Sequence, residues 1–369
     1  QGPDVWAMPN DWVYRHKDKL FSMPAAMEKA TNLDNLYVPV IKQSVNFDGK
    51  TYALTPTVEP LMVFYNEKLF TETLDNYKKD NKGDTESIKT ASALLKSVPK
   101  TWTDFTETAN LLTKTNGSDI EIAGAAIGTG KITNGTDLFY LLMMQNETDI
   151  LTKEFNLATF NLPKSTAVGA DDNPGVRALE FYTSFSDPSS ENYTWNDSLG
   201  NDIDAFANGK AAMIFGYSSL QNVLAQKYPN FKYKKAFTPQ VSQDSKKIVD
   251  FARFTAFGVS RLSKNSGPAW ILVNALGSKY SAGFSSATKL STAKRSASYD
   301  TSIDKRAAGN PEKLALATAN ALVKGRYPLD FDKNLAAAVD SVNKQEQDAK
   351  TALDLASSNI TELLRKSDW

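Results

Sequence analysis

The sequence has no cysteine. That excludes disulfides, thiolate metal sites and cysteine nucleophiles. It has one histidine, His16. A histidine-rich metal centre is therefore excluded, and a Ser-His-Asp triad is a poor fit. Charge of one sign is missing too, because 42 basic and 42 acidic residues cancel. With no basic block there is no electrostatic footprint for nucleic acid and no polybasic membrane patch. No apolar run reaches the ~18 residues of a membrane span. No signal peptide is visible, and the chain opens on Gln1-Gly2-Pro3 without methionine.

What is present is globular. The chain is 41% hydrophobic and 23% charged, and its 369 residues suffice for two domains. Leu61-Met62-Val63-Phe64-Tyr65 is an unbroken apolar run of strand length. It predicts a strand buried on both faces, as in a parallel or mixed sheet. Thr55-Pro56-Thr57-Val58-Glu59-Pro60 precedes it as a proline-bounded connection. Glu59 there is either a solvated loop acid or an acceptor at the mouth of a cleft.

Other elements follow in order. Val5 to Met8 reads as a strand, with Pro9-Asn10-Asp11-Trp12 as the loop after it. Asp48-Gly49 marks a hairpin. Thr101 or Thr103 caps a helix carrying the stripe Phe105, Ala109, Leu112. Asp137 to Gln145 and Pro174 to Phe185 read as helices. Ala211 to Phe215 reads as a strand, and Gly216-Tyr217-Ser218-Ser219 as the loop beyond it. Phe254 to Ser260 is another strand. From Pro311 onward the pattern is helical, including Leu314 to Ala319, with a break at Gly325-Arg326-Tyr327-Pro328. Alternating strands and helices predict an α/β fold with a helical C-terminal part.

The chemistry-bearing patterns are few. Gly124-Ala125-Ala126-Ile127-Gly128-Thr129-Gly130-Lys131 fails as a phosphate loop. Its first glycine would have to fall at Ala125, and Ile132 stands where Ser or Thr is required. Asp171-Asp172 and Asp330/Asp332 are the closest acid pairs, and neither has calcium-loop spacing. A glycosidase pair facing across a cleft remains an alternative that spacing does not test. Trp12, Trp195, Tyr217 and Tyr327 lie in or beside predicted loops with polar neighbours. Each is either an aromatic closing a loop or a platform for the apolar face of a sugar ring.

Several stretches together resemble one family. GPDVWAMPNDWV, DGKTYALTPTVEPLMVFYNEKLF, VPKTWTDFTETANLLTK, DAFANGKAAMIFGYSS and FGVSRLSKNSGPAWILVNAL are similar, in order and spacing, to segments of the extracellular solute-binding proteins of family 1. These are the sugar-type substrate receptors of bacterial ABC importers, maltodextrin-binding proteins among them. The resemblance implies a two-lobe, periplasmic-binding-protein-like (type II) fold with a hinge and an interlobe cleft. It implies lobe one at 1–57 and 256–308, and lobe two at 60–251 and 312–369, with crossings near 57–60, 251–256 and 308–312. The strand, helix and second strand that precede this point in the family are absent, so lobe one is expected to be incomplete at its N-terminus.

The implied function is a non-enzymatic extracytoplasmic receptor, in the periplasm or on the outer face of the membrane with a lipid anchor. It would bind a mono- or oligosaccharide by hinge closure and deliver it to a membrane permease. Glu59 and Asp11 match acidic ligand positions, and Tyr217 and Ser218 stand where the family places a stacking aromatic. Asn10, Trp12 and Arg253 are their neighbours. No catalytic residue, metal or cofactor is implied, no nucleic-acid partner, and a monomer is expected. The rival readings are a glycoside hydrolase on the same ligands and a structural or adhesion protein with an emptied cleft.

Overall fold

The computed structural model describes residues 2–117, 119–164, 172–241, 248–295 and 310–366. Asp171 and residues 308–309 of the expected third crossing lie outside them. The long strand Thr57–Tyr65 is the axis of the molecule. Leu61, Met62, Val63 and Phe64 are fully buried, as their apolar run requires. The strand is longer than its apolar half. Thr57 to Pro60, expected as a connection, already belongs to it. Its ladder partners change along its length. Thr57 and Val58 pair with Ser291–Thr292, Glu59 and Pro60 with Asp250–Arg253, and Leu61 to Tyr65 with Met213–Tyr217. Pro60, which has no N–H to donate, sits where the ladder passes from one partner to the next. All these pairings are antiparallel, and the sheet becomes mixed through Asp250–Arg253, which runs parallel to Ala319–Asn320.

A second sheet is built on Thr255–Ser260. Val5–Pro9 pairs along its whole length, and Leu20–Phe21 and Ala53–Leu54 add to it. Apolar side chains gather into separate cores around the two sheets. The first includes Met8, Val13, Val40, Val58, Ala252, Phe254, Trp270 and Leu316. The second includes Leu61, Val63, Phe139, Tyr217, Phe251, Leu322 and Phe331. A third, around Met62, Phe64, Trp195 and Phe206, covers the other face of the long strand. The chain passes between the first two cores at Val58 to Leu61, at Phe251 to Ala252 and at Ala319 to Leu322. This is a two-lobe α/β architecture.

Local rules account for most elements. Thr101 caps Trp102–Leu112, accepting from the Asp104 N–H at 3.2 Å. Asp48 and Gly49 both take positive φ, as the tight hairpin between Asn46–Phe47 and Lys50–Thr51 needs. The helix Gly135–Gln145 is buried all round its middle, in line with its apolar composition. The expected helix from Leu314 to Ala319 is a correction. The helix ends at Ala315, and Ala319–Asn320 is a strand. There the gain from pairing with Asp250–Arg253 outweighs the helical propensity of Leu-Ala-Thr-Ala.

Candidate functional site

A cleft of about 510 Å³ opens where the chain passes between the cores. Its walls come from six stretches of the chain. The turn after Val5–Pro9 supplies Asn10, Asp11 and Trp12, and the long strand supplies Glu59. Asp250–Arg253 supplies Arg253, and Met213–Tyr217 supplies Tyr217. The start of Gly135–Gln145 contributes Thr136 and Asp137, with Thr133 and Asn134 just before it. Lys324 and Asp332 close the floor, the latter from the helix Pro328–Asn343. Six of the seven residues singled out from sequence therefore share one cavity.

The seventh, Ser218, does not. It is fully buried behind the strand end, and its hydroxyl has no hydrogen-bond partner among the described residues. The strand ends at Tyr217, and Ser218 lies in the turn that leads to the helix Leu220–Lys227. Asn10 lines the cavity with its amide already engaged. Its side chain donates to Ser44 Oγ at 3.3 Å and accepts from the Phe254 N–H at 3.0 Å. Trp195 is 1% exposed within the third core and is not at the cleft.

Tyr217 is held differently from a free stacking platform. Its hydroxyl donates to Asp137 at 2.7 Å, and the Arg253 guanidinium lies 3.8 Å from its ring centroid. Its phenol is pushed well above the usual range by burial and by the Asp137 charge. A ligand therefore meets the guanidinium before the ring. Arg253 also donates to Glu59 at 3.3 Å. The other carboxylate oxygen of Glu59 accepts from the Ser219 N–H at 2.9 Å, just before the helix Leu220–Lys227. Glu59 is thus neither a solvated loop acid nor a free acceptor. It ties the long strand to that helix start and to Arg253.

The centre of the site is Lys324, which sequence reasoning missed. Its ammonium lies 2.8 Å from Asp332, 3.2 Å from Asp11 and 3.9 Å from Asp137. Burial alone would lower its pKa. Asp137, Asp11 and Asp332 outweigh burial and hold it above the ordinary lysine value. Burial raises the Asp332 carboxyl, against the pull of Lys324 and of the Tyr140 hydroxyl, which donates to it at 2.5 Å. Asp11 follows a strand of the first core, whereas Asp137 and Asp332 stand on helices of the second. One ammonium therefore joins both bodies. The only local signal was a lysine ending the apolar run Ala321-Leu322-Val323.

The sequence profile of bacterial extracellular solute-binding proteins matches residues 1–311. The chain is a member of that family. No protein of curated function matches it. Solved structures resemble this solute-binding protein closely in fold. The cyclic α-maltosyl-1,6-maltose binding protein of Arthrobacter globiformis superposes with a TM-score of 0.72 at 18% identity, over 99% of this chain and 85% of that one. The sugar-binding protein MalE of Xanthomonas citri gives 0.71 at 17% identity, over 98% and 84%. UgpB of Mycobacterium tuberculosis, in complex with glycerophosphocholine, gives 0.69 at 15% identity, over 99% and 84%. No described helix is long and apolar enough to cross a membrane.

Proposed function

We propose that this solute-binding protein is the extracytoplasmic receptor of an ABC importer, and that it closes its two lobes on a small carbohydrate. The observation that carries the reading is the polar cleft at the three chain passages, with walls from both cores. Its volume lies within the ~300–1,000 Å³ usual for small-molecule sites. Proteins of the same fold include a cyclic α-maltosyl-1,6-maltose binding protein and a sugar-binding protein. Carboxylates of the cleft accept sugar hydroxyls, Thr133, Asn134 and Thr136 offer further polar groups, and Trp12 packs on the ring.

Ligand contacts to both lobes favour the closed form by their differential affinity, and that form docks on the permease. The receptor acts as a monomer, held at the outer face of the membrane by a lipid anchor. The role proposed for the cleft acids, each paired with Lys324 or Arg253, is binding.

A thermal-shift screen of the full-length protein against mono- and oligosaccharides tests the reading. A ligand at 100 times its Kd adds about 2.7 kcal/mol to stability. A shift that Asp11→Ala and Trp12→Ala abolish supports the proposal. No shift with any saccharide rejects it.

A further inference from the structure

We infer that the cleft is built for a saccharide bearing a positive charge, an amino sugar or its oligomer, and that it turns anionic saccharides away. The inference rests on the receptor reading and narrows its ligand class. The chain as a whole is neutral. The described cleft lining is not, since Asp11, Glu59, Asp137 and Asp332 face only Arg253 and Lys324.

Both cations are already paired, although Arg253 keeps a half-exposed guanidinium. Arg253 is engaged by Glu59 and by the face of Tyr217. Lys324 is surrounded by three carboxylates. Its side chain is 6% exposed, whereas those of Asp11, Asp137 and Asp332 are 19%, 19% and 29% exposed. The lysine lies beneath its three acids, so acid is what this part of the cavity presents, whereas in the other pair Arg253 is 45% exposed against 13% for Glu59. One ammonium shared among three carboxylates leaves negative charge uncompensated. A carboxylate or phosphate entering at Lys324 would have to break an existing pair and then sit against the remaining acids. The starts of Gly135–Gln145 and Pro328–Asn343 bring partial positive charge to the same space. Each carries an acid in its first turn, Asp137 and Asp330 respectively, which offsets it.

The cleft already holds a cation in the manner proposed. The Arg253 guanidinium sits over an aromatic face with a carboxylate beside it. That is a cation–π site completed by an acid. A ligand ammonium finds carboxylates at Asp11 and Asp137, next to Trp12, whose ring already has the Arg15 guanidinium 5.8 Å from its centroid, while its hydroxyls donate to the remaining carboxylate oxygens. Affinity should rank amine above neutral sugar and neutral sugar above acid.

The test is calorimetric titration of the full-length protein with matched sets: glucose, glucosamine and glucuronate, the galactose and mannose equivalents, and their disaccharides. The expected result is at least one set in which the amine binds about tenfold tighter than the neutral sugar and the uronate weakest. The amine preference should shrink as salt rises from ~20 to ~500 mM, because the attraction is electrostatic. Asp11→Asn should narrow the amine-to-neutral ratio. A neutral sugar or uronate that matches or exceeds the amine in every set that binds overturns the inference and leaves the receptor reading standing. So does a ratio unchanged in Asp11→Asn. If no member of any set binds, the saccharide reading falls and the inference falls with it.

Discussion

Replacing Lys324 by methionine tests the electrostatic account most directly. Methionine is also long and unbranched, so the change removes charge more than volume. It leaves Asp11, Asp137 and Asp332 without their shared cation in a site where that cation is 6% exposed. Removing one partner of a buried ionic cluster costs about 3–5 kcal/mol, chiefly because the stranded charges stay buried. At ~2.1 cal/mol/K per residue, that loss lowers the Tm by roughly 4–6 °C. Scanning calorimetry reads it. The pH dependence supplies a second check. Crowded carboxylates without a cation are pushed above their unfolded pKa. Such groups cost stability as pH rises through the folded pKa, so the deficit is largest at neutral pH. It should shrink as pH falls toward ~4, where the acids are protonated. A Tm loss below about 1 °C, or a deficit that grows on acidification, would refute the reasoning. Adding Asp332→Asn to the variant should recover part of the loss, since one stranded charge is then neutral.

Other expected outcomes follow from single contacts. Tyr217→Phe leaves Asp137 without its 2.7 Å donor and should cost about 1–3 kcal/mol in denaturant unfolding. Gly124→Ala would place its methyl carbon 1.8 Å from the Ala109 carbonyl oxygen, so the backbone must shift and the Tm should fall. Gly267→Ala, with open space at that position in the helix Ser266–Gly277, should instead be neutral or stabilising by up to ~1 kcal/mol. His16 is buried between Trp6 and Trp12, with neither ring nitrogen hydrogen-bonded among the described residues. Burial, followed by Arg15 and Lys19, lowers its pKa. The unfolded chain therefore binds the proton more readily. Stability should drop as pH falls below ~6.5 and level off beneath the folded pKa. His16→Leu should flatten that part of a melting profile, and an unchanged profile would reject the account.

The sequence alone determined the fold family and many local elements. Five motifs in order carried the family, and apolar runs, Thr101 and Asp48-Gly49 carried the strand, the cap and the hairpin. These signals are local. Periodicity, capping and turn chemistry act over a few residues and can be read in line. Tertiary structure decided the site. Asp11, Asp137, Lys324 and Asp332 are far apart in sequence, yet they share one buried ammonium. Glu59 and Tyr217 were recognisable as cleft residues from sequence. Their engagement by Arg253 was not, and neither was the use of the Asn10 amide between Ser44 and Phe254. The helical pattern at Leu314 to Ala319 gave way to a strand because a partner strand was there to pair with. Charge pairing and ladder formation depend on distance through space, and only the packed chain sets those distances.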